Sequence, residues 1–143
     1  MNAVERSILM SKVAWANVTA NRYSTRLDEF NVDSIESVYE TFLANRRRLG
    51  LEQWVEPIRA TSIEAATQWA HGECAFVFID GNHHYEHVLA DLHAWAKLTK
   101  KGGTVCGDDW HRDSVKQALK DFGANKSGFA VERPCPNTWA FRV

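Results

Sequence analysis

The sequence predicts a single α/β domain over residues 1–143, built as a largely parallel sheet with helices on both faces. Three observations predict it. Helical periodicity alternates with short apolar runs from Asp33 to Phe122. Two of those runs, CAFVFID and TVCGDDW, stop abruptly in acids. The closing runs FAVERP and TWAFRV flank a turn rich in Pro and Asn, which predicts a C-terminal antiparallel hairpin.

The elements follow in order. KVAWANV, residues 12–18, reads as a short strand or as the end of a helix. Asp33 with Glu36 has the spacing of a capping pair, and Ile35, Val38, Phe42 and Leu49 recur on one helical face. Arg46, Arg47 and Arg48 fall in the last turn, where positive charge suits the helix dipole, and Gly50 stops the helix. A solvated helix end accounts for this triplet better than a phosphate site. VEPIRATS reads as a short strand, and Pro57 assigns it to a sheet edge or a strand start because proline cannot donate to a ladder. Thr61 with Glu64 caps a helix running to about His71. CAFVFI is a continuous apolar run, the pattern of a strand buried on both faces. Tyr85, Val88, Leu89, Leu92 and Trp95 share a face of the next helix, which ends at KKGG. TVCG is the following strand, and a helix from Ser114 to Phe122 is stopped by Gly123.

Composition narrows the function. Charged residues make up 24% of the chain, hydrophobic residues 45%, and the net charge is −1. There is no basic excess to grip nucleic acid. No apolar run approaches the ~20 residues that cross a bilayer, and no secretory pattern opens the chain, so a cytoplasmic protein is expected. Cys74, Cys106 and Cys135 are odd in number and scattered, and two lie in apolar strand-like runs, which reads as reduced core thiols and not as a disulfide set. The six tryptophans are expected in the core.

Ligands of open parallel sheets sit beyond the carboxyl ends of the strands. Asp80 ends one predicted strand and Asp108 and Asp109 end the next, and a helical crossover makes the two strands neighbours. Three carboxylates at one sheet edge would raise one another's pKa values unless a hard cation such as Mg²⁺ or Mn²⁺ joined them. The competing reading has each aspartate capping the helix that follows. His83 and His87 have a zinc-ligand spacing, but no Cys or Glu partner accompanies them. His84 or His83 fits better as a general base, with His84 slightly preferred. His71, His93 and His111 have no constellation around them and read as surface or helix-end residues.

The stretch Ile79-Asp80-Gly81-Asn82-His83-His84-Tyr85, the helix from Asp91 to Trp95, Leu98 to Gly103, and Gly107-Asp108-Asp109-Trp110 occur in that order. Together they resemble class I S-adenosylmethionine-dependent methyltransferases, and more narrowly the group around macrocin O-methyltransferase and the cephalosporin hydroxylase-like proteins. The resemblance covers roughly residues 35 to 115 and is limited to the C-terminal portion of that family. It implies a partial Rossmann-like methyltransferase sheet. It implies that Asp80, Asp108 and Asp109 hold Mg²⁺ or Mn²⁺, which would bind the acceptor hydroxyls. It places Thr61 and Ser62 at the adenine end of S-adenosylmethionine and Gly81 and Asn82 beside its methionine end. Asn82 stands where several relatives have an aspartate, which leaves the base role to a neighbouring histidine.

Two departures qualify the functional expectation. No glycine precedes Gly50, so the glycine-rich turn that cradles the methionine moiety is missing, and Asn17 stands where the ribose acid is expected. The chain could be a fragment, could complete its sheet with a partner, or could be a reduced relative. The expected function is Mg-assisted O-methyl transfer to a small hydroxylated metabolite by an incomplete or reduced member of the family. The alternative is a non-catalytic α/β module that keeps an acidic metal site and binds no cofactor. Weak or undetectable S-adenosylmethionine binding is expected of the chain by itself. The exposed edge left by a missing strand predicts a homo-oligomer.

Overall fold

The computed structural model describes residues 35–123 and 128–143. KVAWANV, Asn17 and the Asp33 cap lie outside the described residues. The elements are α1 (Ile35–Arg48), α2 (Ser62–Thr67), β1 (Cys74–Ile79), α3 (Tyr85–Leu98), β2 (Thr99–Gly107), α4 (Asp113–Gly123) and β3 (Trp139–Arg142). The strands form one sheet in the order β1-β2-β3. β1 and β2 are parallel, with Phe76 opposite Thr104 and Ile79 opposite Gly107. β3 runs antiparallel to β2, with Thr104 opposite Arg142 and Gly107 opposite Trp139.

Helices α3 and α4 cover one face of this sheet. Val88 and Leu92 of α3, and Val115, Ala118, Leu119 and Phe122 of α4, close over Val105, Trp139 and Phe141. A second cluster joins Ala65 and Ala66 of α2 to Trp95 of α3. The helix spacing read from the sequence builds this core, because Val88, Leu92 and Trp95 return to one side at three- and four-residue intervals. No helix among the described residues is long and apolar enough to cross a membrane.

Several expectations are corrected. VEPIRATS does not form a strand with any described residue: residues 55–61 have no ladder partner among the described residues and lead directly into α2. Pro57 lacks an N–H, and the Val55 carbonyl is taken by the Arg46 guanidinium at 2.6 Å. Arg46 is therefore not a solvated helix end; it also binds the Glu52 carbonyl at 2.7 Å and ties α1 to the turn after it. Leu49 lies off the packed face, 56% exposed, and α2 ends at Thr67, well short of His71.

β1 is not buried on both faces. Val77 and Ile79 pack on the helix side, whereas Phe76 and Phe78 are 53% and 48% exposed. Trp54 is also exposed, unlike Trp95 and Trp139. β2 begins at Thr99 and not after KKGG. Its pairing with β1 jumps from Cys74–Thr99 to Phe76–Thr104, and Gly102 turns with φ 78° to donate to the Val143 carbonyl. A side chain at Gly103 would strike Thr99 and the Lys100 and Ala75 carbonyls, so the bulge requires glycine there. The C-terminal antiparallel pair survives as a single bridge between Glu132 and Ala140; the main partner of TWAFRV is β2. The three cysteines are free thiols, but they are not all core residues: Cys106 is buried, which pushes its thiol up to about 11, Cys74 is half-buried and Cys135 is exposed.

Candidate functional site

Ile79 and Gly107 are register partners, so the residues after them, Asp80 and Asp108, leave the sheet side by side. The Asp108 N–H donates to the Ile79 carbonyl at 3.2 Å and fixes that spacing. Gly107 permits the approach: a side chain there would run into the Ile79 carbonyl and the Trp139 indole. Asp109 then takes φ 63°, a left-handed conformation that Asp tolerates better than most residues, and turns the chain toward α4.

The acids sense one another. Although Asp80 is largely solvent-exposed, partial burial pushes its carboxyl above the ordinary carboxylate range, and the charges of Asp108 and Asp109 push it further. Asp108 Oδ1 accepts from Asn137 Nδ2 at 2.8 Å, and the Asp108 carbonyl accepts from the Trp139 indole at 2.9 Å. Asp109 is ringed by cationic or potentially cationic groups. Arg112 Nε lies 3.1 Å from Oδ1, His111 Nδ1 3.9 Å from Oδ1, and His83 Nδ1 3.7 Å from Oδ2. Among the described residues, no three His, Cys, Asp or Glu side chains are disposed to hold a metal ion. The carboxylates converge as expected, but they do not stand as a ready ligand set.

The loop after β1 brings in the histidines. Asn82 Oδ1 accepts from the His84 N–H at 2.9 Å, a local turn that starts α3 with His84 at the N-cap position. Ser114 of α4 donates to the His83 carbonyl at 2.6 Å, and the His83 and His84 rings stack with centroids 5.6 Å apart. His83 thus faces the acid pair, and His84 lies against His83.

Thr61 and Ser62 are held elsewhere, at the start of α2. Thr61 and Glu64 form a reciprocal capping box, as the sequence predicts. The Ser62 hydroxyl accepts from the Trp95 indole at 2.8 Å and binds the buried Asp91. Burial raises the Asp91 pKa; the Ser62 bond and the charge of His87 oppose that rise. Thr61, Ser62 and Asn82 therefore make internal bonds in this structure, and Gly81 is a bend between strand and helix.

The sequence reading missed His111, Arg112 and Asn137. His111 is not an isolated surface residue, since its Nδ1 lies 2.6 Å from Asn137 Oδ1. Proximity to the acid pair in sequence was a usable signal for His111 and Arg112. Asn137 carried none, because only the β2–β3 pairing brings it to the strand ends.

The family model for a methyltransferase domain matches residues 10–110, well over half of the chain. The chain belongs to the methyltransferase-domain family. No curated protein matches this methyltransferase domain in sequence. Among solved structures it is similar to the O-methyltransferase NovP, with TM-score 0.67 at 14% identity over 97% of this chain and 63% of that one. It is also similar to cofactor-bound Rv0187 from MTB, with TM-score 0.62 at 16% identity over 75% of this chain and 57% of that one. An O-methyltransferase from Bacillus cereus, in complex with SAH, gives TM-score 0.51 at 16% identity over 70% and 56% of the two chains. These likenesses establish a Rossmann-like methyltransferase fold. The methyltransferase domain spans less than two thirds of the length of each of these structures.

Proposed function

We propose that this chain is the acceptor-side part of an S-adenosylmethionine-dependent O-methyltransferase acting on a small hydroxylated metabolite. The observation that carries the reading is the convergence of Asp80, Asp108 and Asp109 at the carboxyl ends of adjacent parallel strands in a methyltransferase-family chain. The order of IDGNHHY, KKGG and GDDW supports the finer assignment to the group around macrocin O-methyltransferase.

S-adenosylmethionine, when bound, supplies an electrophilic methyl carbon on a sulfonium. For that methyl group to be transferred, an acceptor hydroxyl would have to be held in line with it and give up its proton. In this reading His83 takes that proton, a role supported by Asp109 Oδ2, which lies 3.7 Å from its Nδ1 and would pair with the charged ring. His84, stacked on His83, is the alternative acceptor of the proton. Gly81 and Asn82 form the turn beside the methionine end in this reading, and Thr61 and Ser62 flank the adenine end.

Mg²⁺ or Mn²⁺ belongs to the proposal through donor chemistry: the three acids offer hard oxygen ligands, and partial burial together with the charges of Asp108 and Asp109 already disfavours ionised Asp80. As placed, the described residues do not fit an ion without rearrangement. Titration calorimetry with S-adenosylmethionine tests the whole reading. Weak binding, strengthened by Mg²⁺, is expected. No heat with or without the ion would select the non-catalytic module, a reading favoured by the internal bonding of Thr61, Ser62 and Asn82. In parallel, Mg²⁺ should raise the melting temperature of the wild type by mass action, and Asp80→Ala and Asp109→Ala should abolish that rise. An undiminished rise in both variants would place the ion elsewhere.

Self-association and a cytoplasmic location complete the proposal. The exposed Phe76 and Phe78 are the residues that a second copy would cover. Sedimentation as a monomer at micromolar concentration would remove the oligomer from it.

A further inference from the structure

Asn137 stands between an acid that can only accept and a histidine that can do either. Asp108 is a carboxylate, so the Asn137 atom 2.8 Å from its Oδ1 must be the amide nitrogen. That fixes the amide: its oxygen is the atom that faces His111 Nδ1 at 2.6 Å. An amide oxygen only accepts, so the imidazole must carry its proton on Nδ1. The lone pair is then left on Nε2, on a ring whose side chain is 60% exposed. A neutral histidine in water prefers the opposite form, with the proton on Nε2. The backbone reinforces the arrangement. The Trp110 N–H donates to the Asn137 carbonyl at 2.9 Å, and the His111 N–H points at Asn137 Oδ1 from 3.4 Å.

We propose that Asn137 is a positioning residue of the strand-end site: it locks His111 in the Nδ1–H form and so presents Nε2 as an acceptor for a substrate hydroxyl. The inference deepens the proposed O-methyl transfer and rests on it for the identity of the hydroxyl; the tautomer lock itself does not. Asp109 Oδ1, 3.9 Å from His111 Nδ1, holds the same edge of the ring toward the acid pair. Asn137 comes from the turn before β3, so β3 contributes to the site through the loop it anchors as well as through the core.

Long-range proton–nitrogen correlation of His111 in the full chain, at a pH where the ring is neutral, tests the lock without any assay of activity. The wild type is expected to show predominantly the Nδ1–H form. Asn137→Ala should move the population predominantly to Nε2–H. A wild type with its proton on Nε2 would overturn the proposal with no variant required. An unchanged tautomer in a folded Asn137→Ala would overturn Asn137 as its cause. Failure of S-adenosylmethionine to bind would count against the methyltransferase reading alone, since the tautomer is read in the unliganded protein.

Discussion

Asp80 and Asp108 end neighbouring parallel strands, yet the two strand ends are built differently. The end of β2 is tied down from a distance. Trp139 and Asn137, some thirty residues on, bind the carbonyl and carboxylate of Asp108, and Arg112 holds Asp109. The end of β1 is tied locally, by the Asn82 turn and by the Asp108 N–H on the Ile79 carbonyl. The Asp80 carboxyl is exposed and receives no hydrogen bond from a described side chain. The strand bodies differ in the same sense: Val105 of β2 is fully buried, while Phe76 and Phe78 of β1 are about half exposed. One residue type, at equivalent places in one sheet, is oriented only where the next strand carries a loop back over it. The acid pair is the preset part of the site, and Asp80 is the adjustable part.

The largest test removes the distant support. Trp139 is 1% exposed, stacks near Phe141, and holds the Asp108 carbonyl. Trp139→Ala is expected to cost ~3–5 kcal/mol in chemical denaturation, the range for emptying a large aromatic site. Phe78→Ala, on the half-exposed face of β1, should cost less than ~1 kcal/mol. Comparable losses would mean that β1 is buried in solution and that the contrast between the strands is false.

A smaller test uses backbone conformation. Asp109 is the only non-glycine residue with positive φ among the described residues. Asp109→Ala loses the contact with Arg112 and forces a Cβ without polar compensation into the left-handed region, for ~1–2 kcal/mol. Asp109→Gly loses the same contact but relaxes the backbone, so it should melt above the alanine variant. At Asp80 the order should invert, with Ala melting above Gly, because no left-handed strain exists there to relieve. The same order at both positions would break the distinction between a preset and an unconstrained strand end.

Much of this was legible in the sequence because it depends on local pattern. An apolar run closed by an acid, a capped helix, and a second such run are enough to place Asp80 beside Asp108 through a crossover connection. The burial of α3 followed from its period, and the Thr61 cap from its spacing. What was not legible depends on non-local choices. TWAFRV reads as the partner of FAVERP because the two are joined by a turn, and only tertiary packing of Trp139 and Phe141 against α4 decides for β2. Asn137 and His111 reach the site through that choice. CAFVFI looked two-sided because apolar run length reports hydrophobicity and not what lies against each face, and Phe76 and Phe78 have no covering element among the described residues.

The smallest effect isolates Asp80. Partial burial, then the charges of Asp108 and Asp109, raise its pKa above the ordinary 3.8. A raised folded-state value means that the native protein holds the proton more tightly than the unfolded chain. The favourable contribution is then complete below the unfolded value and is lost as pH rises through the folded one. At neutral pH the ionised carboxylate is the destabilised form. Asp80→Asn, which imitates the protonated acid, should therefore be slightly more stable than wild type at pH 7 and level with it near pH 3. Exposure and screening keep the gain below ~1 kcal/mol, and added salt should shrink it further. The same neutral-pH comparison in Mg²⁺ sharpens the point: the ion would stabilise only the carboxylate, so wild type should overtake the variant. An Asp80→Asn variant less stable than wild type at pH 7 without the ion would show that Asp80 already has a cationic partner, and the adjustable strand end would then be as firmly held as its neighbour.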